Sequence, residues 1–116
     1  MLLREGCDAY HGPSCRKLGI VLRDGEHGVE PMPEASIPYL NRAEVQGDAR
    51  ATYELGVSYR DGLGTSPQYP IAADQFESAC QRELMEGCYH LGMLLTQGQL
   101  PLDVERAGRA FLSGCG

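Results

Sequence analysis

Four things are missing from this 116-residue sequence, and each closes off a class of function. It has no basic run: Asp and Glu number 16 against 10 Lys and Arg, a formal net charge of -6, which argues against a general grip on nucleic-acid phosphates. It has no apolar stretch approaching the roughly 20 residues that cross a bilayer. The best short run, Leu18 to Leu22, is broken off by Arg23, Asp24 and Gly25. The segment Met1 to Tyr10 lacks the apolar core of an export signal, because its two leucines are followed at once by Arg4, Glu5 and then Asp8. Together these absences predict a soluble chain with no membrane insertion and no nucleic-acid partner. A phosphate-cradling loop is also missing: Gly62-Leu63-Gly64 has neither a preceding strand nor a basic residue and punctuates a turn.

Cysteine is plentiful by contrast. Five in a chain of this length is a high count for a reducing cytosol. Paired, they place the protein in the periplasm or outside the cell; unpaired, they return it to the cytoplasm. The length itself suits one modest domain with its own core.

A repeat runs through the chain. Leu-Gly occurs at Leu18-Gly19, Leu55-Gly56 and Leu91-Gly92, in steps of 37 and 36 residues. Four residues beyond each leucine stands Leu22, Tyr59 or Leu95, and seven beyond stands Gly25, Gly62 or Gly98. A further column reads Ala35, Ala72, Ala107, each followed four residues later by an aromatic ring, Tyr39, Phe76 or Phe111. Leucine and its fourth neighbour share one helix face, the glycine beside it admits a second helix closely, and the later glycine stops the first helix. Alanine and aromatic give the second helix its buried stripe.

The pattern predicts an all-α solenoid of antiparallel helix pairs. First helices are expected near 13–24, 49–61 and 86–97, and second helices near 33–46, 70–83 and 103–114. The loops Gly25 to Pro33, Gly62 to Pro70 and Gly98 to Pro101 are rich in glycine and proline. Pro38 falls inside a second helix and is expected to bend it. The units divide as 12–47, 48–84 and 85–116, with 1–11 the tail of a preceding second helix.

Taken together these columns resemble the Sel1-like repeat, a relative of the tetratricopeptide repeat. The most similar stretch is Leu55-Gly-Val-Ser-Tyr-Arg-Asp-Gly-Leu-Gly64 followed by Ala72-Ala-Asp-Gln-Phe-Glu-Ser-Ala-Cys80. Cys7 and Cys15 are separated by seven residues, as are Cys80 and Cys88, and this resembles the Helicobacter cysteine-rich proteins, whose bridges tie neighbouring helices. The resemblance implies bridges Cys7–Cys15 and Cys80–Cys88, with Ala43 and Ala51 at the corresponding places of the middle unit. Cys115 is then left unpaired, awaiting a following unit. On this reading the chain is a window from a longer array whose outward-facing Leu3 and Phe111 favour end-to-end self-association.

Catalytic chemistry finds little footing. Cys7, His11 and Cys15 have a spacing open to zinc, but Cys80 and Cys88 repeat it with Leu84 in the middle, so no metal and no cofactor is expected. His90 is two residues from Cys88 and does not face it on a helix. The cysteine-rich branch implies β-lactam binding or weak β-lactamase-like hydrolysis as an alternative activity, and a passive spacer role is a third possibility. The favoured reading is an interaction scaffold. Residues at minus two, plus two and plus five from each leucine share the inner face: Arg16, Ile20 and Arg23, then Tyr53, Val57 and Arg60, then Tyr89, Met93 and Thr96. Arg50 and Glu86 lie one turn earlier. The arginines, with Tyr53, Tyr89 and Met93 between them, suit an acidic, partly apolar protein or peptide; the competing reading is that they pair with neighbouring carboxylates.

Overall fold

The computed structural model describes Cys7 and residues 11–97, and within them five α-helices. They are α1 (Gly12–Asp24), α2 (Pro33–Val45), α3 (Ala49–Asp61), α4 (Tyr69–Gln81) and α5 (Met85–Thr96). Each packs on the next in sequence, and α1 also touches α3, so first helices stack on first helices. The fold is all-α, built of sequential antiparallel pairs. The expected third second-helix near 103–114, Gly98, the outward faces of Leu3 and Phe111, and Cys115 all lie outside the described residues.

Helix ends follow local chemistry. The His11 imidazole accepts the Ser14 amide at 3.2 Å to start α1, and Asp48 Oδ1 accepts the amides of Arg50 and Ala51 at 3.0 and 3.2 Å to start α3. Proline stands in the first turn of α1, α2 and α4, where its missing donor would have no helical partner. Gly25 and Gly62 close α1 and α3 in the left-handed conformation. Helix α2 continues through Pro38, which lies exposed.

The Leu-Gly columns make the pairing tight. A Cβ on Gly19 would fall 2.8 Å from Leu40, and one on Gly56 would fall 2.7 Å from Phe76. Each glycine therefore seats the largest buried side chain of the following helix. Leu18, Leu55 and Leu91 are buried beside them.

The second-helix column needs a correction. Ala35 is exposed and Tyr39 only half-buried, whereas Ser36 and Leu40 are fully buried. The counterparts of Ala72 and Phe76 are thus Ser36 and Leu40, one residue later than the column expected. The loop after α1 spans 25–32 and the loop after α3 spans 62–68, so the first loop holds one extra residue. The extra residue is absorbed without disturbing the anchor: Met32 N–H donates to Leu22 O and Gln68 N–H to Tyr59 O, at 2.6 and 2.8 Å.

The same shift corrects the lost bridge. Both disulfides exist, Cys7–Cys15 and Cys80–Cys88, with Cα–Cα separations of 4.4 and 4.5 Å. Each second cysteine lies four residues after its helix cap, His11 or Leu84, and the same count from Asp48 gives Thr52, not Ala51. Counting within α2 and α4, the counterpart of Cys80 is Glu44, not Ala43. Thr52 is 1 % exposed and its Oγ1 finds no hydrogen-bond partner among the described residues.

Candidate functional site

The stacked first helices carry a ladder of arginines, and the structure supplies carboxylates to all four. Arg16 meets Asp48 at 3.4 Å and Arg50 meets Glu86 at 2.6 Å. Arg23, 9 % exposed, is engaged on several sides. It donates to Asp24 at 2.9 Å, to Glu54 Oε1 at 2.8 Å, and to Ser58 Oγ and the Glu54 carbonyl at 3.3 Å. Its guanidinium locks α1 to α3, and its neighbours hold its pKa above the ordinary value, burial opposing them.

Arg60 stands at the corresponding place of α3. Its Nε and Nη2 donate to Asp61 at 2.8 and 3.0 Å, and its Nη1 lies 2.9 Å from His90 Nδ1. A guanidinium only donates, so Nδ1 accepts and the neutral ring carries its proton on Nε2. Burial first, and then the Arg60 charge, push the His90 pKa below its ordinary value. Asp61 is held low by its hydrogen bond to Arg60. The Arg60 guanidinium also lies over Phe76, 5.6 Å from the ring centre.

Around this pair the rings form a continuous patch. His90 stacks on Phe76 at 5.6 Å, meets Tyr53 at 5.5 Å and takes Tyr89 edge-on at 5.5 Å. Burial raises the Tyr53 pKa. Beside the patch opens a cavity of about 340 Å³, lined among the described residues by Arg60, Asp61, Tyr69, Tyr89, His90, Met93, Leu94 and Gln97. Tyr89 is 54 % exposed at its rim.

The structure thus brings together Arg60, Tyr89 and Met93 at one cavity, with Tyr53 behind it. Arg16, Arg23 and Arg50 stand elsewhere along the stacked first helices. Sequence reasoning missed His90, Asp61 and Tyr69 as lining groups. A signal existed: His90 and Glu54 both stand one residue before the Leu-Gly leucine, opposite an arginine five residues after the preceding one.

Cys7 and Cys15 are joined to each other, so they are not thiolate ligands, and His11 between them in sequence caps α1. The β-lactam alternative calls for a serine nucleophile, and sequence reasoning overlooks one Ser-x-x-Lys spacing of the kind such enzymes use, Ser14-Cys15-Arg16-Lys17. Ser14 Oγ lies 2.8 Å from His11 Nδ1, which also accepts the Ser14 amide, and Lys17 is exposed. The capping geometry of His11 accounts for that contact.

Paired helices, a glycine seat in each pair and an arginine ladder along the first helices define an α-solenoid built from helical repeats. No family model matches the chain. Its structure is similar to the crystal structure of a Sel1 repeat protein from Oxalobacter formigenes, with a TM-score of 0.88 and 23% identity over 98% of this chain and 87% of that one. It is equally similar, at 0.88 and 21% identity, to a protective antigen of uropathogenic Escherichia coli strains displaying an SLR fold, covering 98% of this chain and 24% of the antigen. The chain has the Sel1-like repeat fold. In sequence it is 31% identical over 108 residues to cytochrome c oxidase assembly factor 7 of Danio rerio, an alignment covering 88% of this chain. The chain spans about half, 47%, of that relative's length.

Proposed function

We propose that this chain is a non-catalytic scaffold, read as repeat units 12–47, 48–84 and 85–116, that holds a segment of a partner protein along the face shared by α1, α3 and α5. The observation that carries the reading is the cavity between Arg60 and Met93, rimmed by the half-exposed Tyr89. Concave, partly apolar sites with a few converging polar groups are where proteins hold ligands, and tyrosine and arginine supply much of the energy at protein interfaces. The relative from Danio rerio is named for assembly, which fits a holding role. Two disulfides favour an oxidising setting, periplasmic or extracellular. No described helix is long and apolar enough to cross a membrane.

Photo-crosslinking tests the reading. A photoreactive side chain at Met93 is expected to capture a discrete partner from the native extract, while the same group at Pro38, exposed on α2, captures none. Equal capture from both positions, or none from Met93, would leave the chain a passive spacer.

A further inference from the structure

The two arginine steps of the ladder differ in the partners that the next first helix supplies. Arg23 and Arg60 each stand five residues after a Leu-Gly leucine, each beside an aspartate, and each reaches toward the residue one place before the next such leucine. In the first step that residue is Glu54, whose carboxylate accepts from Arg23 Nη2 at 2.8 Å, with Ser58 Oγ as a further acceptor. In the second step the corresponding residues are His90 and Leu94. Arg60 therefore lacks both the second carboxylate and the hydroxyl that its counterpart enjoys. Two of its five N–H groups have no partner among the described residues. Where Arg23 is enclosed, Arg60 is half-buried and borders the cavity of about 340 Å³.

Building on the scaffold reading, we propose that this cavity is a glutamate-accepting subsite: a glutamate side chain of the partner polypeptide supplies to Arg60 the carboxylate that Glu54 supplies to Arg23. A guanidinium already aligned by Asp61 and stacked on Phe76 is preorganised for such a bond, and little side-chain freedom is left to lose. Tyr69, Tyr89 and Met93 flank the position, so the residue next to the glutamate is apolar or aromatic. The subsite recognises one carboxylate in a defined place. It is not a general attraction, since the chain carries a net charge of -6 and would repel a long acidic tract.

The test uses two capped peptides, acetyl-Phe-Glu-Leu-amide and acetyl-Phe-Gln-Leu-amide, which carry no free terminal carboxylate. Binding to the disulfide-intact chain is followed through the ring resonances of His90. The Glu peptide is expected to bind about tenfold more tightly than the Gln peptide and to shift His90, as befits one charge-assisted bond. The variant His90→Glu supplies the carboxylate within the chain, as Glu54 does; it is expected to melt at higher temperature and to lose the preference for the Glu peptide. Equal binding of the two peptides, no binding of either, or an undiminished preference in His90→Glu would each overturn the subsite. If both peptides bind equally and both are weakened by Tyr89→Ala, the carboxylate subsite falls while the groove-binding reading stands.

Discussion

Gly64 has φ at +89°, and a Cβ there would run into the backbone of Pro33, at the start of α2. Gly28 has almost the same conformation, φ +76°, with nothing within 4 Å of its would-be Cβ. The pair separates backbone strain from collision. Gly28→Ala is expected to lose about 1 kcal/mol, the strain of an L residue in the left-handed region. Gly64→Ala carries the same strain plus displacement of α2, and is expected to lose about 2–4 kcal/mol in urea unfolding. Similar losses for both would mean that the second loop does not bear on α2. His90 provides a pH handle at this scale. Its folded pKa lies below the ordinary 6.5, so as pH falls through that value the unfolded chain takes up a proton that the folded chain refuses. Stability is therefore full above about pH 6.5 and declines toward the lower folded pKa. Asp61 and Glu86 are also held low, but from ordinary values of 3.8 and 4.5, so their effect comes at more acid pH. Urea midpoints of the wild type are expected to fall between about pH 7 and pH 5, and those of His90→Asn to fall less. Parallel curves would sink the assignment.

At the scale of elements, the sequence is most legible where a residue type is tied to a stereochemical demand. The Leu-Gly columns locate the first helices because only glycine admits Leu40 or Phe76 at such close range. Gly25 and Gly62 mark the stops because the chain turns left-handed there. The second helix of the first unit is less legible: Ala35 and Tyr39 mimic the buried stripe one residue early, and composition alone cannot reveal the extra loop residue that shifts it to Ser36 and Leu40. At the site, helix geometry placed Arg60, Tyr89 and Met93 on one face, but the cross-helix partners of Arg23 and Arg60 come from the next first helix and depend on how α1, α3 and α5 stack. The corrected register yields its own prediction. Glu44 and Thr52 occupy the places of bridged cysteines, so Glu44→Cys with Thr52→Cys is expected to form a third disulfide spontaneously. Ser14, which precedes Cys15 as Ala51 precedes Thr52, carries a side chain next to an existing bridge, so Ala51 can stay. Removing the unpartnered Thr52 hydroxyl adds to the gain. Intact mass after alkylation reads the outcome; two free thiols in the variant beyond those of the wild type would refute the register.

At the scale of the molecule, contacts among the described helices join each mainly to its neighbours, which makes their stability a chain of local couplings rather than one shared core. Among the described residues, one buried cluster gathers Cys7, Cys15, Leu18, Ala43 and Ala51, and another, separate from it, gathers Ala72, Phe76, Leu91 and Leu95. Each bridge closes a short segment, with a sequence separation of 8, and restrains the unfolded chain by about 2.5 kcal/mol in the loop-entropy view. That restraint acts where helix ends meet, and neighbour coupling dictates how far its loss spreads. In Cys80→Ser/Cys88→Ser, amides of α4 and α5 are expected to exchange markedly faster, by roughly the factor that about 2 kcal/mol implies, while those of α1 change little. The Arg23 bonds to Glu54 and Ser58 join the two halves, so α3 should show an intermediate change. A uniform acceleration across all five helices would mean that this arginine lock makes the array unfold as one unit, and that the bridges stabilise the molecule globally rather than the helix junctions they span.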